Sequence, residues 1–302
     1  MKFAVVDLGS NTMRLSLYEA DSASKDFELL FSEKKMVGII NYVEDGVLSD
    51  SGIEEACKTL NKFKSLTWQF GTSHIYVLAT ASLRNIKNTQ EAVAAIGRGT
   101  GLYVDVVSGQ DEAELGYRGS LMSLDMENGF MFDIGGGSTE VVKIRSKEIR
   151  SAQSLDMGCL NIFNRFVSDI LPSQSEIKKI REYADERFRE CDFSSVKDRT
   201  VCGVGGTARA VLKLCNRHFK KDDDNRIITI DEFKELSALL LCCKKEGKKL
   251  ILKTCPDRTH TILPGIVIMS SLTDKICKDK IYISRYGVRE GYLCRKLTNS
   301  MR

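Results

Sequence analysis

The stretch that most limits what this chain can become is Phe132-Asp133-Ile134-Gly135-Gly136-Gly137-Ser138-Thr139-Glu140. An apolar strand, Gly129 to Phe132, runs into a carboxylate, three glycines, two hydroxyls and a second carboxylate; a second apolar strand, Val141 to Ile144, leaves. Consecutive glycines let backbone N–H groups converge on phosphate oxygens with no side chains in the way. Asp133 and Glu140 would repel phosphate unless a cation sat between them, so the chemical reading is metal plus phosphate. The plainer reading is a glycine-rich β-hairpin with capping hydroxyls. An echo near the N-terminus weighs against it. There Phe3-Ala4-Val5-Val6 leads into Asp7-Leu8-Gly9-Ser10-Asn11-Thr12 and then Met13 to Tyr18. Both copies read strand, Asp, apolar residue, Gly, small polar loop, strand, and such self-similarity predicts two related halves. Two loops of this kind facing across a cleft could hold both ends of a phosphoanhydride.

A chain of 302 residues can bury two modest cores, and the boundary is expected near the polar segment Asp125 to Asn128. The domains would then be 1–124 and 125–302. A net charge of +4 gives no reason to expect nucleic acid as a partner. The ten cysteines are scattered, some in apolar runs (Cys202, Cys242, Cys243), and no Cys-x-x-Cys pair occurs; they read as buried thiols in a reducing cytoplasm. No apolar run reaches the ~20 residues of a membrane span, and no signal segment precedes the first strand. The three histidines (His74, His218, His260) are too dispersed for a histidine metal site or a Ser/His/Asp triad.

The pattern of apolar residues predicts alternating elements. Ser51 offers an N-cap to a helix carrying Ile53, Cys57, Leu60, Phe63 and Leu66 on one face, after a polar connection over Val43 to Asp50. A strand follows at Ile75 to Leu78, and a helix from Thr89 to Ile96 ends at Gly97. Tyr103 to Val107 is a short strand, and the helix after Ser108-Gly109 turns Leu115 and Met122 inward. In the second half, helices are expected at Leu160 to Val167, at Glu176 to Arg189 (capped by Ser173 or Ser175) and at Thr207 to Leu214. Asp231 would cap a helix through Cys243, the basic run Lys244 to Lys249 would be its exposed end, and an apolar helix would reach Ile276.

The two loop motifs resemble the phosphate motifs of the exopolyphosphatase/guanosine pentaphosphate phosphatase (Ppx/GppA) family, which shares its architecture with actin, the heat-shock chaperone ATPases and the sugar kinases. Four further segments agree in order: Ala79-Thr80-Ala81-Ser82-Leu83-Arg84, Ser108-Gly109-Gln110-Asp111-Glu112-Ala113, Gly203-Val204-Gly205-Gly206-Thr207-Ala208 and Tyr286-Gly287-Val288-Arg289-Glu290-Gly291. The resemblance implies a two-domain, ribonuclease H-like α/β fold with an interdomain cleft. It implies a Mg2+-dependent hydrolase acting on inorganic polyphosphate or guanosine pentaphosphate, with no membrane partner; it leaves a homodimer open. Residue by residue, it puts the catalytic roles on Glu112 and Arg84 and metal ligation on Asp133, Glu140 and Asp7. Phosphate binding falls to Gly9, Ser10, Asn11, Thr12, Gly135, Gly136, Gly137, Ser138, Gly205, Gly206, Thr207 and Arg289.

Other readings of the same residues stay open. Asp111 is the rival of Glu112, and the acidic first turn there also compensates a helix dipole. Gly203 to Ala208 fits the dinucleotide pattern G-x-G-x-x-A as well. A phosphotransferase and a non-catalytic alarmone-binding protein share the architecture. The chain departs from the family pattern at Lys35 to Ile40, where an arginine-bearing segment is common. It departs again at Arg258-Thr259-His260, where Arg-Ala-Asp is common, and at Arg285, where Asp is common. It also stops at Arg302, without the C-terminal helical domain of longer members, which favours a short polyphosphate or a nucleotide.

Overall fold

A computed structural model describes residues 1–20, 27–72, 74–194, 199–242 and 244–299. Cys243 lies outside the described residues. The chain divides into two compact units, Met1–Gly109 with Leu293–Arg302, and Gln110–Tyr292. The changeover therefore comes ahead of the boundary expected near Asp125. The reason is packing: Ala113 and Tyr117, on the helix that opens at Gly109, cluster with Met131, Cys202 and Val204 of the second unit.

In the first unit, β1 (Lys2–Leu8), β2 (Thr12–Ala20) and β3 (Phe27–Met36) form an antiparallel meander. A small hairpin, β4 (Val43–Glu44) and β5 (Val47–Leu48), occupies part of the expected loop, turning through Asp45 and Gly46 at φ 51° and 80°. Next come α1 (Asp50–Gln69), β6 (Ile75–Ala79), α2 (Ala81–Arg84), α3 (Thr89–Thr100) and β7 (Val104–Val106). The sheet order is β3-β2-β1-β6-β7, with β1, β6 and β7 parallel. Central β1 is a near-continuous buried apolar run, as a strand covered on both faces must be. Two ends differ from expectation. Ser49, not Ser51, caps α1, its Oγ accepting the Gly52 N–H at 3.3 Å. α3 runs through Gly97 and stops at Gly101, whose left-handed φ of 68° lets its N–H donate back to the Gly97 carbonyl.

The second unit holds α4 (Gly109–Ser120), β8 (Gly129–Ile134), β9 (Thr139–Arg145), β10 (Glu148–Leu155), α5 (Cys159–Phe166), α6 (Gln174–Arg187), β11 (Thr200–Val204) and α7 (Gly205–Phe219). It continues with β12 (Ile227–Thr229), α8 (Ile230–Leu241), α9 (Lys245–Thr254), α10 (Ile262–Ile276), β13 (Lys280–Ile283) and the start of α11 (Val288–Asn299). Its sheet runs β10-β9-β8-β11-β13-β12. The first five of these strands repeat the first unit's plan, an antiparallel meander followed by parallel strands, and β12 adds an antiparallel edge. The kinship read from two short motifs is thus a kinship of whole sheets.

Helix ends again refine the sequence reading. Ser173 and Glu176 form a reciprocal capping box at α6. At α8 the cap is Thr229 with Glu232 rather than Asp231, and the helix ends at Leu241. The basic run opens a separate helix, α9, instead of closing α8. Because α4 ends at Ser120, Met122 is exposed rather than inward. α10 is buried almost all round and forms the axis of the unit's core, where each fully buried Ile, Leu, Val or Met contributes about 1.5–3 kcal/mol. Glycine lets α4 and α11 touch backbone to backbone. A Cβ on Gly119 would sit 2.0 Å from the Gly287 carbonyl oxygen, and one on Gly291 2.0 Å from that of Leu115. This close crossing seats α4, and with it Glu112, against the sheet.

Candidate active site

The two hairpin turns are built alike. In the first unit the Gly9 N–H donates to the Thr12 carbonyl at 3.1 Å; in the second the Gly135 N–H donates to the Ser138 carbonyl at 2.9 Å. The carboxylate before each glycine lies two residues upstream, at the end of its strand. Across the ladder the copies part company. Asp133 pairs in register with Glu140, whereas Asp7 pairs with Arg14. Directly opposed residues in a ladder share a face of the sheet, so the second hairpin puts two carboxylates side by side.

Glu140 is a strongly perturbed acid. It is 1% exposed and accepts hydrogen bonds from the Ser154 hydroxyl (2.7 Å) and from Ser138. Burial, then the charges of Glu112 and Asp133, push its carboxyl well above the usual carboxylate range. Glu112, in the first turn of α4, is itself buried at 8% exposure, while its rival Asp111 is half-buried. Asp133, Glu140 and Glu112 therefore form one acidic cluster.

The glycine turn above this cluster is held from outside. Its carbonyls accept from the start of α5: Cys159 N–H to Gly135 (2.9 Å), Leu160 N–H to Gly136 (2.9 Å), and the Asn161 side-chain amide to Gly137 (2.8 Å). With the carbonyls so engaged, and with Gly136 and Gly137 donating to nothing among the described residues, the turn has N–H groups to offer an anion.

The Gly205-Gly206-Thr207 segment, opening α7, completes the group. Gly205 has φ 78°, and a Cβ there would fall 1.9 Å from Oδ1 of Asp133. A Cβ on Gly206 would fall 2.2 Å from a terminal nitrogen of Arg258. Thr207 is buried against Cys159. Arg258 was missing from the residues the sequence singled out as functional, because it lies within a segment that departs from the family pattern. The guanidinium acts on its neighbours: it partly offsets the burial that raises the Cys159 thiol, and it adds to the burial that lowers His260.

Arg289 is half-buried in the first turn of α11, where the buried Glu290 carboxylate accepts the Gly287 N–H at 2.8 Å. In the first unit, Asn11 accepts from the Val37 and Gly38 N–H groups (3.1 and 2.8 Å) and the Ser10 carbonyl from Ile40 (3.1 Å). This ties the Gly9–Thr12 turn to the segment that departs from the family pattern. Ser82 donates from its hydroxyl to the Leu8 carbonyl, and Arg84 from its guanidinium to the Val107 carbonyl at 3.3 Å.

No group of three or more His, Cys, Asp or Glu among the described residues forms a ready-made metal cage. Magnesium takes one or two carboxylates and keeps its waters. Such a cation would fit beside Glu140, which is wholly buried next to Asp133 and Glu112 and has no ion pair among the described residues.

The model of the Ppx/GppA phosphatase family matches residues 18–300. The chain belongs to that family. Among relatives, it is 25% identical to a bifunctional 3-dehydroquinate synthase/phosphatase of Fusobacterium nucleatum, covering 93% of this chain and 44% of that one. It is 25% identical to a putative exopolyphosphatase of Haemophilus influenzae, covering 97% and 90%. A guanosine-5'-triphosphate,3'-diphosphate pyrophosphatase of Aeromonas hydrophila is 24% identical over 99% of this chain and 60% of that relative. The chain thus spans less than two thirds of two of these three. The crystal structure of the Aquifex aeolicus member of the family superposes with a TM-score of 0.82 at 25% identity, covering 100% of this chain and 99% of that one. The α/β fold is the one seen in that family member.

Proposed function

We propose that this protein hydrolyses terminal phosphoanhydride bonds of inorganic polyphosphate and releases orthophosphate. The observation that carries the reading is the Asp133–Glu140 register pair, with Glu112 buried beside it under a turn that offers N–H groups. Negative charge gathered next to an anion-binding turn calls for a cation and a phosphate together. Asp133 and Glu140 would hold Mg2+. When bound, the ion neutralises charge on the phosphate oxygens.

The chain's own residues do the rest. Gly136, Gly137 and Ser138 bind phosphate through the turn, and Gly205, Gly206 and Thr207 through the first turn of α7. The matching turn of the first unit, Gly9, Ser10, Asn11 and Thr12, would bind phosphate in the same manner. Arg84 and Arg289 supply bidentate guanidinium contacts. Glu112 orients the attacking water and takes its proton. The new P–O bond forms from that water as the bond to the bridging oxygen breaks, and the shortened polyphosphate leaves with the bridging oxygen. Free thiols in place of disulfides at the described cysteines support a cytoplasmic setting. No helix of the described residues is long and apolar enough to cross a membrane.

The same residues would release the 5'-terminal phosphate of guanosine pentaphosphate, and the name of the Aeromonas relative favours this second reading. Purified protein with Mg2+ and either polyphosphate or guanosine pentaphosphate distinguishes them by orthophosphate release. Glu112→Gln should lower the rate by about 10²–10⁴-fold, the range for a lost general base. Equal release by the variant on both substrates would sink both readings.

A further inference from the structure

A cavity of about 360 Å³ lies in the Gln110–Tyr292 unit, lined by none of the acidic cluster and none of the glycine-turn residues. Its volume sits at the lower end of the ~300–1,000 Å³ range of small-molecule sites. Its walls have one chemical sign. Arg226 and Arg285, from segments flanking β12 and β13, line it together with Tyr282 and Tyr286, and no carboxylate does. Neither arginine is ion-paired among the described residues, and Nε of Arg226 is buried with no hydrogen-bond partner. A buried donor left unmet is costly, so this nitrogen is short of an acceptor.

The backbone around Arg226 and Ser284 is held in place. The Arg226 carbonyl accepts the Ile283 N–H at 2.8 Å, which pins that residue's backbone beside β13. Ser284 is already engaged, its hydroxyl bonded to that of Ser123 (2.7 Å) and accepting the Tyr286 N–H (3.1 Å). Cys202 also lines the cavity; burial pushes its thiol up to about 12, so that wall stays uncharged. An uncharged wall and two tyrosine rings suit a flat aromatic group, while two guanidinium groups suit phosphate.

We propose that this cavity binds a nucleoside monophosphate, with the phosphate on Arg226 and Arg285 and the base against Tyr282 and Tyr286. The proposal is independent of the hydrolytic reading, because it uses none of the same residues. AMP is the apt probe, since a monoester has no anhydride bond to be hydrolysed. The test is calorimetric titration of the full chain with AMP, adenosine and inorganic phosphate, on wild type, Arg285→Glu and Glu140→Gln. Arg285 is exposed, so its exchange should leave folding intact, which circular dichroism checks. AMP should bind more tightly than either fragment, Arg285→Glu should weaken it by at least about tenfold, and Glu140→Gln should leave it unchanged. No AMP binding, binding lost in Glu140→Gln but kept in Arg285→Glu, or phosphate binding as tightly as AMP would each overturn the proposal.

Discussion

Replacing Gly205 with alanine tests whether this backbone was shaped around Asp133. Two costs can be read from the structure. At φ 78° an L side chain occupies the left-handed region, worth about 1–2 kcal/mol of strain. The new Cβ would also fall 1.9 Å from Oδ1 and 2.5 Å from Cγ of Asp133, closer than the 3.0 Å below which real Cβ contacts essentially do not occur. Relieving that overlap costs about 1–3 kcal/mol more and drives the carboxylate back by about 1 Å. A shift of that size in a positioned group can lower catalysis by about 10²-fold.

Gly71→Ala is the control, and a close one. Gly71 has φ 79°, and a Cβ there meets nothing within 4 Å, so it carries the strain without the overlap. Urea denaturation should show Gly71→Ala losing about 1–2 kcal/mol and Gly205→Ala clearly more. Orthophosphate release should be unchanged in the first and fall about 10²-fold in the second. If Gly205→Ala loses no more stability than Gly71→Ala and keeps its rate, the glycine is not there for Asp133 and the site has been misread.

Three other measurements bear on the same structure. Glu140 has its carboxyl raised above the unfolded value, so its stabilising contribution is complete below the unfolded pKa of about 4.5 and is lost as pH rises through the folded one; in chelator, Glu140→Gln should therefore gain stability over wild type between pH 4.5 and 8, and added Mg2+ should narrow the gap. Ser173→Ala should cost about 0.5–2 kcal/mol at neutral pH; because Glu176 is held at about 2 by the Ser173 backbone and hydroxyl and by Ser168, its contribution is present above the unfolded pKa of 4.5 and lost as pH falls towards 2, where variant and wild type should converge by chemical denaturation. Gly119→Ala should cost at least about 1–3 kcal/mol, read as a lowered thermal midpoint, since its Cβ meets the Gly287 backbone and not a side chain that can turn away.

Much of this was legible one residue at a time, and what was not had a common cause. The acidic pair was readable because Asp133 and Glu140 close a single hairpin, so their ladder pairing follows from turn length alone. Glu112 needed the resemblance: its first-turn position also suits plain dipole compensation, and only tertiary packing sets it beside Glu140. The contacts of Gly205 with Asp133 and of Gly206 with Arg258 join segments far apart in the chain, and no local pattern encodes them. Helix ends failed for a smaller reason. Ser49 and Ser51 both suit a cap, as do Thr229 and Asp231, and the choice falls to whichever backbone is extended where the helix packs.

The duplication also says where a cation is most needed. Both hairpins share turn, glycine and leading aspartate, but the residue across the ladder is Arg14 in one and Glu140 in the other. In the first unit the aspartate has a positive side chain across the ladder. In the second it faces another carboxylate, with Glu112 as a third, and Glu140 is buried where an uncompensated charge costs most. Nothing in the packing requires an acid at Glu140, since an apolar residue of similar size would fill a buried β9 position at less cost. Its presence is therefore best understood through what it would bind, and under the proposed function a magnesium ion would be held by the second unit. Titrating activity with Mg2+ should show a larger rise in the required concentration for Asp133→Asn than for Asp7→Asn. Equal rises would mean that the ladder partner does not decide which aspartate serves the ion.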